Sequence, residues 1–201
     1  MELWQYEQAA LNEGHTLICG CDEAGAGPLA GPVYAAAVIL PFGAEIPGLN
    51  DSKKLTEKKR EALFPVVKEL ASAWAVAWVD AGEIDATDIL SARMKAMQLA
   101  IDALPVQPDF ALIDGNRDHG KTAAIVTPHQ CIVKGDSLSA SIAAASILAK
   151  VSRDHHMLEM AEQYPEYKFE KHKGYGTKVH YEALRQYGPS PIHRRTFLKN
   201  L

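Results

Sequence analysis

The sequence is poor in cysteine, and what it has forms no recognisable ligand set. Cys19, Cys21 and Cys131 are the only three in 201 residues. The number is odd, and the spacing matches no zinc motif. Cys19 and Cys21 lie two apart on an expected strand, so they share a face. They read as buried reduced thiols, which suits a reducing cytoplasm. The start, Met1-Glu2-Leu3-Trp4-Gln5-Tyr6-Glu7, lacks the basic residues and apolar core of a signal peptide. The apolar run Val33-Tyr34-Ala35-Ala36-Ala37-Val38-Ile39-Leu40 is too short to span a bilayer, so no membrane association is expected. No HExxH pattern, internal repeat or low-complexity tract occurs. Strong basicity is missing too, for the net charge is −4. Alone, that counts weakly against a nucleic-acid partner. A metal site built from carboxylates would hold much of this negative charge, however, so its distribution matters more than its sum.

What is present is an ordinary globular composition, 47% hydrophobic and 23% charged. The length suits one domain over residues 1–201, with a helical C-terminal part from about residue 161. Strands are expected at 16–22, 32–40, 73–79, 110–114 and 131–134. Helical spacing is expected from Thr56, a suitable N-cap, and again over 83–103, 139–164 and 177–187. Pro65 should kink or break the first of these helices. Ala143-Ala144-Ala145-Ser146 is small enough to press a helix backbone against a sheet. The pattern is α/β: a mixed sheet with flanking helices, then helices alone.

The most informative feature is the placement of acids. Asp22 and Glu23 end an apolar strand just before Gly25-Ala26-Gly27-Pro28. Asp114 ends Phe110-Ala111-Leu112-Ile113, and Asp136 follows Ile132-Val133-Lys134-Gly135. Carboxylates gathered at strand ends are costly unless cations meet them, and hard oxygen ligands point to Mg²⁺ or Mn²⁺. Two such ions, held and bridged by carboxylates, hydrolyse phosphodiesters with no Ser, His or Cys nucleophile. Asp136 could instead cap the helix that follows, and Asp114 could be a turn residue. Adjacent strand residues point to opposite faces, so Glu23 can join Asp22 only if the chain bends there.

Taken together, several segments resemble the type 2 ribonuclease H family, the bacterial ribonucleases HII. They are Asp22-Glu23-Ala24-Gly25-x-Gly27-Pro28-Leu29-Ala30-Gly31-Pro32-Val33, Asn50-Asp51-Ser52-Lys53-Lys54-Leu55, Leu112-Ile113-Asp114-Gly115-Asn116 and Lys134-Gly135-Asp136-Ser137. They continue with Ala143-Ala144-Ala145-Ser146-Ile147-Leu148-Ala149-Lys150-Val151-x-Arg153-Asp154, His172-Lys173-Gly174-Tyr175 and His193-Arg194-Arg195-x-Phe197. The resemblance spans nearly the whole chain. It implies a ribonuclease H-like fold with a mixed five-stranded sheet. It also implies cleavage of RNA paired to DNA, and at single ribonucleotides within duplex DNA, on the 5′ side of the ribonucleotide, leaving 3′-hydroxyl and 5′-phosphate ends. Asp22, Glu23, Asp114 and Asp136 fall on the family's metal-binding carboxylates, which use Mg²⁺ or Mn²⁺. Tyr175 falls on the tyrosine that packs against the sugar at the RNA–DNA junction.

One position departs. Where the family has Gly-Arg-Gly, this chain has Gly25-Ala26-Gly27. In the family that turn reads the 2′-hydroxyl through backbone groups while its arginine contacts phosphate. Here the backbone part can survive and the guanidinium cannot, so weaker binding or slower cleavage is expected. Lys53 is the expected phosphate contact and a candidate to compensate. His193-Arg194-Arg195 could reach phosphates or pin the C-terminus by pairing with acids. Gly115-Asn116-Arg117-Asp118-His119-Gly120-Lys121-Thr122 fits GxxxxGKT, but no helix is expected after it to receive a phosphate. Rival readings are a hybrid-binding protein without catalysis and a related nuclease acting on DNA only. A cytoplasmic monomer is the expectation.

Overall fold

The computed structural model describes residues 2–199. Five strands form one sheet in the order β3-β2-β1-β4-β5. They are β1 (Ile18–Ala24), β2 (Val33–Ile39), β3 (Ala73–Val79), β4 (Phe110–Asp114) and β5 (His129–Ile132). β2 is antiparallel to both β1 and β3, while β1, β4 and β5 run parallel. The helices are α1 (Gln5–Asn12), α2 (Glu57–Leu70), α3 (Ala81–Ala86), α4 (Ile89–Asp102), α5 (Ala140–Gln163), α6 (Phe169–His172) and α7 (Lys178–Tyr187). This is the mixed α/β sheet and helical C-terminal part expected from the sequence.

The strand period of two divides the core. Cys19 and Cys21 of β1, Ala35 and Ala37 of β2 and Ile113 of β4 face α4, where Met94, Met97 and Ile101 are buried against them. Ala36 and Val38 face the other layer, packed with Ala144, Ala145 and Leu148 of α5 and with Leu63 and Val67 of α2. The small residues of α5 bring its backbone onto the sheet at Gly20. A Cβ at Gly20 would lie 2.2 Å from the Ile142 nitrogen.

Local chemistry explains where helices begin. Thr56 Oγ1 accepts from Lys59 N–H and caps α2. The expected helix over 83–103 is in fact two, because Asp80 caps α3 through Glu83 N–H and Asp88 caps a fresh start at α4 through Ser91 N–H. Pro65 does not break α2, which runs on to Leu70. The burial of Leu63 and Val67 on either side of it outweighs the lost Glu61 carbonyl bond. β5 begins two residues earlier than expected, since its pairing starts at Ala111 with His129 and the chain turns left-handed at Lys134. α1 and α6 escaped the sequence reading. α1 carries Glu7, whose Oε1 accepts from Ser139 Oγ, Ser141 N–H and Ser141 Oγ at the start of α5.

Gly20→Ala tests the contact on which the α5 layer rests. No rotamer relieves a clash between backbones, so a loss of about 3 kcal/mol or more in unfolding free energy is expected. A denaturant midpoint within error of the parent's would refute this account of the contact.

Candidate metal centre

β1 and β4 are neighbours in parallel register, with Cys21 opposite Ile113. The next position on each strand therefore brings Asp22 and Asp114 together on the α5 face of the sheet. The 3₁₀ turn Gly135–Ser137, between β5 and α5, supplies Asp136. Its N–H donates to Asp114 Oδ1 at 3.3 Å, and a Cβ on Gly135 would meet that same oxygen at 3.3 Å. One carboxylate oxygen from each of Asp22, Asp114 and Asp136 lies within 4.8 Å of the others. Asp136 is not a helix cap, for Ser139 performs that role by accepting from Ile142 N–H.

Glu23 stands on the other face. No bend occurs at it, because β1 stays paired with β2 through Ala24. Its Oε1 is 2.6 Å from Arg93 of α4, while its Oε2 is buried without a hydrogen-bond partner. The fourth acid is thus beside the cluster rather than in it.

The electrostatics show the cost of this gathering. Burial, with Glu23 and Asp114 adding like charge, raises the Asp22 pKa well above the usual carboxylate range. Burial and Asp114 raise Asp136. Burial raises Glu23 despite Arg93. Lys53 supplies the nearby cation, its Nζ 3.2 Å from Asp136 Oδ2. Burial opposes its charge, but Asp22, Asp136 and Asp114 together raise its pKa. The backbone sets it there: Asp51 Oδ1 accepts from Lys53 N–H, and Ser52 N–H donates to Ser146 Oγ of α5. Clustered hard oxygen donors, with an orphaned carboxylate oxygen alongside, fit divalent Mg²⁺ or Mn²⁺. The thiols offer no competing chemistry, as burial pushes Cys19 up to about 12.

The expected substrate residues lie along a neighbouring ledge. Tyr175 is 43% exposed. A Cβ on Gly27 would lie 3.8 Å from its ring, so the ring borders the Gly25–Gly27 turn. Lys150 Nζ and Arg153 Cζ approach the ring centroid to 6.0 and 5.8 Å. The Tyr175 carbonyl is held from within. Ser190 N–H donates to His193 Nδ1, which leaves the His193 Nε2–H for His180 Nε2 and the His180 Nδ1–H for Tyr175 O. The GxxxxGKT stretch forms turns and a short bridge between His119 and Ala124, with no helix after it, so it cannot cradle phosphate as a P-loop would.

Sequence reasoning missed Arg93. Its signal is a cation in the apolar stripe of a helix, one turn from both Ile89 and Met97, where it needs a partner from the sheet, here Glu23. The tail is pinned by an acid, though not through its arginine side chains. Arg194 is fully buried and donates to backbone carbonyls. The acid is Asp85, which accepts from Arg195 N–H and Thr196 N–H.

Raised carboxylate pKa values in the folded state make the metal-free protein lose stability as pH rises from the ordinary carboxylate range through those higher values, because the folded state binds the extra protons. Mg²⁺ or Mn²⁺ at about 100 times its dissociation constant should restore about 2.7 kcal/mol. Asp22→Asn should flatten the metal-free pH profile and abolish the metal-induced rise in Tm. A neutral-pH Tm unmoved by either ion would refute the site.

A family model described as ribonuclease HII matches residues 19–200. Among curated relatives, the ribonuclease HII of Idiomarina loihiensis is 58% identical over 90% of this chain and 95% of its own length. That of Caldicellulosiruptor bescii is 52% identical over 98% of this chain and 94% of its own. The crystal structure of ribonuclease H2 from Pyrococcus horikoshii OT3 is similar with a TM-score of 0.72 and 26% identity, covering 90% of this chain and 93% of that one. Sheet order, acid placement and near full-length likeness agree, and the chain belongs to the ribonuclease HII family.

Proposed function

We propose that this protein is a metal-dependent endonuclease that cuts RNA within RNA–DNA hybrids and at single ribonucleotides embedded in duplex DNA. The cut falls on the 5′ side of the ribonucleotide and leaves 3′-hydroxyl and 5′-phosphate ends, as the first step of ribonucleotide removal and DNA repair. The observation that carries this reading is the convergence of Asp22, Asp114 and Asp136, with the orphaned Glu23 oxygen beside them.

Asp22, Glu23, Asp114 and Asp136 would hold a pair of Mg²⁺ or Mn²⁺ ions. When bound, these supply an activated water and neutralise charge on the leaving oxygen. The chain itself does the positioning. Lys53, whose side chain is 71% exposed, lies at the cleft where a scissile phosphate would approach the acids. Lys54 and Lys134 line the same cleft and add local positive charge that the net balance conceals. The Gly25–Gly27 turn presents backbone groups to the 2′-hydroxyl, the one group that distinguishes RNA from DNA at a single position. Tyr175 offers its exposed ring to the sugar at the junction. The protein acts as a cytoplasmic monomer, and among the described residues no helix is long and apolar enough to cross a membrane.

Cleavage mapping on a 5′-labelled duplex with one ribonucleotide, beside an all-DNA control and a long hybrid, tests the reading. A single cut 5′ to the ribonucleotide with Mg²⁺ or Mn²⁺, and none in the control, is expected. Retention without cleavage would make the protein a binder, and equal cutting of the control would make it a DNA nuclease. Ala26 is partly exposed and its side chain has no hydrogen-bonding capacity. Ala26→Arg should therefore raise kcat/KM about tenfold by adding charge-assisted phosphate contacts. Unchanged activity would show that the missing guanidinium does not matter here.

A further inference from the structure

Two arginines are fully buried, and neither pairs with a carboxylate among the described residues. A buried cation without an acid is expensive, so what these guanidiniums touch identifies their task. Arg194 donates from Nη2 to the Gly25 carbonyl at 2.6 Å, from Nη1 to Ala26 at 2.9 Å and from Nε to Gly31 at 3.0 Å. Arg153 donates from Nε to Pro32, from Nη2 to Ala30 and from Nη1 to Lys173. Between them they take up six carbonyls on the two segments that flank the ledge. The Arg153 side chain also fills the space under Gly25, where a Cβ would fall 2.0 Å from its Nε.

The effect is directional. With the Gly25 and Ala26 carbonyls drawn inward, the Ala26 and Gly27 N–H groups find no protein acceptor among the described residues and are left to solvent or ligand. Gly25, at φ +94°, permits this turn of the backbone. Arg194 is itself fixed: its N–H donates to Leu29 O, its guanidinium lies 5.2 Å from the Phe197 ring, and Asp85 holds the next two residues. Burial and the charge of Arg153 push the Arg194 pKa down to about 9, so it still carries its charge at neutral pH.

We propose that Arg194 is a positioning residue for ribonucleotide selection, orienting the Gly25–Gly27 turn so that its free N–H groups face the sugar of the bound strand. This rests on the hybrid-cleavage reading above. The fork geometry is what matters: a guanidinium has five N–H donors in a plane and serves three carbonyls, whereas an ammonium on a flexible stem cannot reach all three at once.

The test compares Arg194→Lys with the parent and with a control at the exposed Arg185 of α7, Arg185→Lys. Dissociation constants are measured by fluorescence anisotropy, with Ca²⁺ replacing Mg²⁺, for a duplex bearing one ribonucleotide and for the same duplex in DNA alone. Arg194→Lys should lose about tenfold or more in the ratio of the two constants, the worth of hydrogen bonds to a charged group, and keep its affinity for the DNA duplex. Arg185→Lys should match the parent. Loss of fold or of active fraction would weaken both affinities together, so an altered ratio marks positioning. An unchanged ratio in folded Arg194→Lys overturns the inference, as does a parent that binds both duplexes equally while still cutting 5′ to the ribonucleotide. If the parent does not cut there with Mg²⁺, the hybrid-cleavage reading itself has failed and takes the inference with it. Should Arg194→Lys not fold, ¹⁵N relaxation of the parent decides: order parameters near about 0.85 at Ala26 and Gly27 support the clamp, and values below about 0.6 overturn it.

Discussion

Gathering like charges at the edge of a dry core governs the architecture. Three carboxylates within 4.8 Å repel one another, and nothing in their own chemistry keeps them together. Backbone does. Parallel pairing fixes Asp22 beside Asp114. α5, lying against Gly20, fixes the Gly135–Ser137 turn that bears Asp136. Main chain against main chain is a stiffer restraint than side-chain packing, because no rotamer can absorb a displacement. Electrostatic strain at the site is thus balanced by stiffness a few residues away.

The charges around the cluster are divided by function. Lys53 reaches it from the solvent side on an exposed stem. Arg93 meets Glu23 from the opposite layer, within the helical stripe that also packs the core. The sheet therefore separates an exposed cation from a largely buried one. Glu23, with one oxygen engaged and one orphaned, sits at the boundary between the two layers. The buried guanidiniums beneath the ledge are a third group, whose partners are carbonyls rather than acids.

Much of this was legible in the residues. Alternation and apolar runs located β3 and β4 to the residue, and the small-residue run predicted the close approach of α5. Acids after apolar strands, with the family resemblance, singled out Asp22, Glu23, Asp114 and Asp136, and three of them converge. What could not be read was which face each side chain would use. β1 stays paired without a bend, so Glu23 borders the cluster from the Arg93 side. The capping of α4 by Asp88 was hidden because the apolar spacing continues across the break. The role of Arg194 was hidden for a different reason. Its acceptors are main-chain oxygens about 165 residues upstream, which every sequence possesses and no side-chain pattern marks.

The contact between Arg194 and the Gly25–Gly31 segment joins a late stretch of the chain to the turn between β1 and β2. Loss of that contact would free the turn beside Tyr175 while the strands holding the acids stay folded, because β1 and β4 are held by their own pairing. On the proposed reading, a molecule opened only there would lose its discrimination between sugars before its hydrolytic capacity, a less selective nuclease before an inactive one.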